Sequence, residues 1–415
     1  MDLKGRLQRL KTLEGSNRLR ENEWQNREIP PLLLEQAFEK TGSFTLKRTL
    51  SVRIAEPPHP VFSEILAALV PCLAGIDSRL KVEDLIFFDI ETTGLSGGAG
   101  TAAFLAGFGR FGGGNYRDLK VEQYLLLDYP GEADFLRQIT AALDDGEETP
   151  VIVSYNGKSF DSQIIKNRCL VNGMPPPLFC RHADLLHTAR CLWKKILPSC
   201  SQSAVEKNIL NMERRGDTDG ARAPDIWFSF LKTNDASELL GICRHNVLDI
   251  AGLASIFSVL THIAHAPEKI GERYSADTEA LALRVRRFRL RHGVTRAEIT
   301  ELETRLLEKA AAGGATLAMF LLGKRLLQNK RYDEARSILE NAAQKNSGAV
   351  SAAADRLLAV DSEWRMRDME LALYYAERTL ARPNAGSTLI ADTQKRRERL
   401  IRMKEIQRAN LTLAL

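Results

Sequence analysis

The pattern of apolar and polar positions divides the chain into three stretches. Between about residues 81 and 265, short apolar runs alternate with segments whose apolar residues recur at helical spacing. The runs at 85–90, 102–108, 121–127 and 151–154 have the length and residue types of strands, whereas 133–143, 161–171 and 236–260 read as helices. This succession predicts an α/β domain with a mixed central sheet flanked by helices. Residues 1–80 read as an amino-terminal extension with no assignable role: a basic helical start at 3–13, a strand at 43–54, then Pro57-Pro58-His59-Pro60, which marks a turn or linker. From about 266 to 415 the pattern is helical throughout. There Leu322-Gly323, Tyr332, Ala335, Leu339 and Ala342 place small and large residues at the spacings of a tetratricopeptide unit, and a looser unit centres on Ala372 and ends at Pro383.

Composition narrows the class. With 44% hydrophobic residues over 415 positions, the chain can bury more than one core. The amino terminus is charged and lacks an apolar signal core, and the apolar stretch 61–76 is broken by Glu64 and Pro71. A cytoplasmic protein without membrane association is therefore expected. The six cysteines form no C-x-x-C pair and no zinc spacing with histidine, which points to reduced, mostly buried thiols. Net charge is +5, and the surplus lies at the carboxyl end: from Ala266 onward there are 28 Lys and Arg against 20 Asp and Glu. The densest run, 283–292, interleaves arginine with apolar residues and reads equally as a solvated helix face or as a phosphate-contacting surface.

The candidate chemistry starts in Leu85-Ile86-Phe87-Phe88-Asp89-Ile90-Glu91-Thr92-Thr93-Gly94. Successive side chains of a strand alternate faces, so Asp89 and Glu91 share one face. Two carboxylates held that close repel and lose hydration unless a cation or a shared proton offsets the cost, and a hard divalent ion is the usual remedy. Thr92, Thr93 and Gly94 offer hydroxyls and backbone N–H groups suited to phosphate or sugar. Further ligands come from two places. Asp161 follows a buried strand and an Asn-Gly turn; there Asn156 could hydrogen-bond substrate and Phe160 could pack on a base or ribose. His245 and Asp249 stand four apart on a helix and share a face. A carboxylate on a metal beside a titratable base is what metal-assisted hydrolysis requires. The glycine-rich stretch 96–100 fits neither the dinucleotide-binding nor the P-loop pattern.

Taken in order, Asp-x-Glu on the first strand, Asp161 in its N-x-x-x-F-D segment and H-x-x-x-D on a late helix resemble the three motifs of DEDD exonucleases, within the ribonuclease H-like fold. The match spans about residues 85–260. Within that group the chain most resembles the YprB-like proteins, in which a ribonuclease H-like domain precedes a tetratricopeptide-like helical tail. Asp184-Leu185-Leu186-His187 and Leu197-Pro198-Ser199-Cys200-Ser201 are similar to that group's connecting segments.

The resemblance implies that Asp89, Glu91, Asp161 and Asp249 hold two Mg²⁺ or Mn²⁺ ions, with Asp89 bridging both. It further implies that His245 orients or deprotonates the attacking water, and that Thr92, Thr93 and Gly94 hold the terminal nucleotide. One departure stands out. The family shows histidine five positions before the last aspartate or tyrosine four before it, whereas here histidine occupies the tyrosine spacing. His182 and His187 are read as structural. The expected activity is a two-metal 3′-to-5′ exonuclease on single-stranded DNA or RNA. Competing readings are a catalytically silent nucleic-acid-binding adaptor whose helical tail recruits a protein partner, and a structure-specific endonuclease whose access is set by loops 95–100 and 200–225.

Overall fold

The computed structural model of the chain describes residues 29–74, 80–94, 100–112, 114–143, 150–345 and 348–413. The basic start at 3–13 and residues 95–99 of the glycine-rich stretch lie outside them. The chain forms two compact units that divide between Ala276 and Asp277.

The first unit is built on seven strands: β1 (Glu39–Lys40), β2 (Thr45–Arg53), β3 (Leu85–Thr92), β4 (Ala103–Gly112), β5 (Asp118–Leu126), β6 (Val151–Ser154) and β7 (His182–Asp184). Their order across the sheet is β1-β2-β5-β4-β3-β6-β7. β3, β4 and β5 form an antiparallel meander, while β6 and β7 add to the β3 side in parallel. Nine helices accompany the described sheet: α1 (Pro31–Glu35), α2 (Glu64–Leu69), α3 (Glu132–Leu143), α4 (Asp161–Val171), α5 (Leu185–Trp193), α6 (Gln202–Ile209), α7 (Ala223–Thr233), α8 (Ser237–His265) and α9 (Ile270–Arg273).

The continuous apolar run of β3 reflects its place in the sheet. Leu85, Ile86, Phe87 and Phe88 are all fully buried, so both faces of this central strand are covered. α8 packs across β3, β4 and β5, and two glycines of β4 set how closely it approaches. A β-carbon on Gly107 would lie 2.2 Å from Asn246 Oδ1, and one on Gly109 would lie 2.5 Å from Ile250 Cγ2. The two glycines share a strand face and the two helix residues, four apart, share a helix face. The two-residue strand period and the four-residue helix step thus mesh at this contact.

Two boundaries differ from the sequence reading. The strand expected at 43–54 is β2, which pairs with β5 along its whole length, so this part of the extension belongs to the sheet. The unit also continues beyond His265: Trp193 Nε1 donates to the Tyr274 carbonyl at 3.0 Å, and Arg273 pairs with Glu56. Among the described residues α8, not 61–76, is long and apolar enough to cross a membrane. However, 72% of its most apolar window is buried inside the fold, as expected for a core helix. The cysteines are also less enclosed than expected, with Cys169 and Cys243 buried but Cys180 exposed.

The second unit contains α10 (Thr278–His292), α11 (Ala297–Ala312), α12 (Thr316–Gln328), α13 (Tyr332–Gln344), α14 (Ala349–Asp361), α15 (Met369–Ala381) and α16 (Ser387–Leu413), each packed on the next. Buried carboxylates clasp these helices. Fully buried Glu303 accepts from Arg286 at 3.0 Å and Arg289 at 2.7 Å, with Arg325 at 3.4 Å. Asp355, also fully buried, takes Arg382 Nε at 2.8 Å and Arg378. Two arginines of the 283–292 run, Arg286 and Arg289, are therefore engaged with a buried carboxylate inside the unit. Arg287 and Arg291 remain exposed.

Candidate active site

Three elements carry the acidic residues to one place. β3 delivers Asp89 and Glu91 near its carboxyl end, and a register shift against β4 follows immediately, between Glu91 and Thr92. β6 runs parallel beside β3 and ends at Ser154, after which the chain turns through Asn156 at φ +66°. Asp161 then opens α4. A β-carbon on Gly157 would lie 2.5 Å from Asp161 Oδ2, so glycine at the turn leaves room for that carboxylate. Asp184 braces the turn from behind: its carboxylate accepts from the backbone N–H of Asn156 at 2.9 Å and of Lys158 at 3.3 Å. It also caps α5 through Leu186 N–H at 3.1 Å. α8 supplies His245 and Asp249.

Asp89, Glu91, Asp161, His245 and Asp249 line one cavity of about 240 Å³, together with Ile90, Tyr155, Asn156 and Phe160. Glu91 is 8% exposed and Asp161 5%, and neither carboxylate has a hydrogen bond or ion pair among the described residues. Burial, followed by the charges of Asp249, Asp161 and Glu91, raises the proton affinity of Asp89 well above that of an ordinary aspartate. Burial and then Asp249, Asp161 and Asp217 do the same to Glu91. Burial and the charges of Asp184 and Asp249 push Asp161 up to about 8. Arg214 offsets the charge of Asp249 at 2.6 Å, but no cation pairs with Asp89, Glu91 or Asp161 among the described residues. Glu91, His245 and Asp249 each offer a ligand atom, all within 4.8 Å of one another. Carboxylate oxygens and an imidazole nitrogen are the donors of divalent-cation sites, so the residues present fit such an ion.

Residues 86–261 match the model of the RNase H superfamily. The whole chain is 32% identical over 432 residues to a protein of Bacillus subtilis (strain 168) named "Uncharacterized protein YprB", covering 97% of this chain and 99% of that protein. This chain belongs to the YprB family. Among solved structures, the family B DNA polymerase from the hyperthermophilic archaeon Pyrobaculum calidifontis is 16% identical, with a TM-score of 0.29 over 48% of this chain. The matched part spans 28% of that polymerase.

In this YprB-family protein the RNase H superfamily domain runs from β3 to α8 and contains every cavity-lining residue. Thr92, Thr93 and Gly94 stand outside that lining. The Thr92 hydroxyl donates to the Gly94 carbonyl at 2.8 Å, and Thr93 Oγ1 accepts from Ala102 N–H at 3.0 Å, so both hydroxyls close the turn after the register shift. His182 is buried with Nε2 2.7 Å from Ser154 Oγ, and His187 is exposed on α5; neither lines the cavity.

Several participants escaped the sequence reading. Arg214, on the connection between α6 and α7, reaches Asp249 Oδ1 at 2.6 Å, Glu206 at 2.6 Å and Asp217 at 3.3 Å. Asp217 Oδ1 in turn meets His245 Nδ1 at 2.9 Å. Asn246, next to His245, is fully buried and donates to Asp89 Oδ2 at 2.9 Å. Tyr155 lines the cavity, and its hydroxyl donates to the Cys200 carbonyl at 2.5 Å. For Asn246 a signal existed: it is four residues before Ile250, on the face that meets the sheet. The connecting segment carries no periodicity that would single out Arg214 or Asp217.

Proposed function

We propose that this YprB-family protein is a divalent-metal-dependent nuclease, a DEDD-type 3′-to-5′ exonuclease that hydrolyses phosphodiester bonds of single-stranded DNA or RNA. One observation supports the reading above the rest: Asp89, Glu91, Asp161 and Asp249, drawn from β3, α4 and α8, converge with His245 on a single cavity. Those four carboxylates are the residues to hold two Mg²⁺ or Mn²⁺ ions. Bound there, the ions supply Lewis-acid activation of the phosphate and of water. The chain's own residues do the rest. Asn156 and Phe160, at the rim, engage the terminal nucleotide by hydrogen bonding and stacking. Thr92, Thr93 and Gly94 shape the turn beside it and present backbone to its sugar and phosphate. His245 faces the same space and positions water or holds its proton. The unpaired state of Glu91 and Asp161 makes the site ready to exchange protons for cations.

The second unit is proposed as a tetratricopeptide-like scaffold for a protein partner. Supporting this, a β-carbon on Gly323 would lie 2.6 Å from Leu339 Cγ, the close helix-to-helix approach expected of a small residue within such a pair. α12 also contacts both α13 and α14, so neighbouring helical pairs stack.

The test is incubation of the purified protein with Mg²⁺ or Mn²⁺ and end-labelled single-stranded, duplex and hybrid substrates of both sugars. The expected result is stepwise shortening from the 3′ end with release of nucleoside monophosphates, lost in Asp89→Ala. Absence of cleavage by the wild type, or equal cleavage by the variant, overturns the reading.

A further inference from the structure

We infer that His245 is itself a metal ligand through Nε2, held in that role by Asp217, and that the Glu91, His245 and Asp249 side of the cavity takes Mn²⁺ ahead of Mg²⁺. The inference rests on the metal-dependent reading of the same cavity and assigns this residue a different part in it.

The orientation of the ring comes first. Asp217 Oδ1 lies 2.9 Å from His245 Nδ1. With its single proton on Nδ1 the ring donates to that carboxylate and turns the lone pair of Nε2 the other way. Asp217 is braced by Arg214 at 3.3 Å, and Arg214 is anchored on Glu206, which is 1% exposed. The imidazole is thus fixed by a chain of charges ending in the protein interior. A carboxylate behind a ligating histidine, setting tautomer and angle, is the usual support of a metal-bound imidazole.

What Nε2 faces comes second. It lies 3.2 Å from Asp249 Oδ2. Two atoms that present lone pairs to each other repel, and a cation between them turns the contact into attraction. Asp249 has its other oxygen, Oδ1, on Arg214 at 2.6 Å, which leaves Oδ2 as the oxygen offered on this side. Glu91 adds an independent observation. Its carboxylate is 8% exposed, makes no hydrogen bond among the described residues, and lines the same cavity. Its ligand atom and those of His245 and Asp249 lie within 4.8 Å of one another. Space at the nitrogen is kept by glycine: a β-carbon on Gly220 would stand 2.8 Å from Nε2.

The donor set then selects the ion. Mg²⁺ prefers oxygen ligands alone, while Mn²⁺, like other first-row transition ions, tolerates a nitrogen donor, so between these two ions one imidazole among carboxylates favours Mn²⁺.

The experiment uses the full chain stripped of metal, titrated with Mn²⁺ and, in competition, with Mg²⁺. Bound Mn²⁺ is followed by electron paramagnetic resonance, with electron spin-echo modulation to detect nitrogen coupling. Wild type, His245→Ala, Asp217→Asn and Asp89→Ala are compared, and thermal unfolding in chelator checks that each is folded. The expected result is nitrogen coupling in the wild type that His245→Ala removes, with Mn²⁺ affinity reduced by about 100-fold and Mg²⁺ affinity changed less than about threefold. Asp217→Asn reduces Mn²⁺ affinity by about 10–100-fold and so narrows the preference for Mn²⁺. If His245→Ala does not fold, Asp217→Asn decides, and an unchanged preference overturns the inference. Mn²⁺ bound without nitrogen coupling, and lost in Asp89→Ala but not in His245→Ala, overturns the role of His245 while leaving a metal-dependent nuclease standing. No cation bound by the wild type overturns both.

Discussion

Asn246 donates from Nδ2 to Asp89 Oδ2 at 2.9 Å and to the Asp89 carbonyl at 3.3 Å, so one buried amide on α8 grips both the side chain and the backbone of a carboxylate that lines the cavity. Asn246 is itself oriented by Gln123, which donates to its Oδ1 at 2.7 Å and to the Cys243 carbonyl at 2.8 Å. Gln123 accepts from Arg48 Nε at 2.8 Å. Four residues from β2, β5, α8 and β3 thus form one relay, with Arg48, Gln123 and Asn246 all buried.

Removing the middle of that relay should be costly. Asn246→Ala leaves the amide of Gln123 short of a partner and Asp89 short of a donor, for an expected loss of about 1–3 kcal/mol. Gly107→Ala attacks the same point by overpacking, since its β-carbon would lie 2.2 Å from Asn246 Oδ1, and should lose a similar amount, about 1–3 kcal/mol. Urea unfolding of both variants measures this. Stabilities equal to that of the wild type would show that the relay bears no structural weight.

Asp89→Asn should change sign with the medium. In chelator it replaces a carboxyl whose charged form burial and its acidic neighbours disfavour with a neutral amide that keeps an acceptor for Asn246, so at a pH high enough to ionise the wild-type group its melting temperature is expected to rise by about 2–4 °C per kcal/mol of repulsion relieved. In excess Mn²⁺ the wild type gains stability by mass action and the variant does not, reversing the order. Melting curves of the pair with and without the ion decide it; a variant less stable in both media would contradict the account.

His182 should give the fold a sensitivity to mild acid. Burial holds its imidazole down at about 4, against the opposing charge of Asp184. Between about pH 6.5 and 4 the unfolded chain therefore binds a proton at this site that the native protein refuses, and stability falls as pH drops through that window. The slope reaches about 1.4 kcal/mol per pH unit at most, and above pH 6.5 the contribution is flat. The carboxylate cluster acts oppositely, because Asp161, raised to about 8, binds its proton in the native state and favours the fold at lower pH. The test is accordingly a difference: the gap between wild type and His182→Gln, measured by urea unfolding at pH 7.5, 6 and 5, should shift toward the variant as pH falls. A constant gap would remove His182 as the cause.

Glu303→Gln should weaken the helical unit. The substitution leaves Arg286, Arg289 and Arg325 around a neutral group at a fully buried position, for an expected loss of about 2–4 kcal/mol, below the full cost of a buried pair because the arginines keep some water. Arg287→Ala, at an exposed position of α10, the helix that carries Arg286 and Arg289, should leave denaturation of the full chain unchanged. Equal effects of the two substitutions would refute the distinction.

Much of the candidate site was legible in the chain because its rules are local. Two-residue spacing on a strand put Asp89 and Glu91 on one face, four-residue spacing on a helix put His245 with Asp249, and an Asn-Gly turn before Asp161 announced its position. The strands Val151–Ser154 and the helix Asp161–Val171 were read with their actual bounds for the same reason. β7, three residues long, carries too little pattern to be read this way.

The sequence by itself therefore determined the order and type of the main elements and the local pairs Asp89 with Glu91 and His245 with Asp249, since periodicity and spacing act within a few residues; that all four acids meet was what the resemblance to DEDD exonucleases implied. Tertiary structure decided what each group touches. The register shift after Glu91 turned Thr92 and Thr93 onto their own loop, and burial of Glu303 drew in two arginines that a charge count would leave in water. Asp217 and Arg214 came to His245 and Asp249 across 28 and 35 residues, and Asn246 to Asp89 across 157. Partners at those separations are chosen by how packed elements cross, which no local spacing encodes.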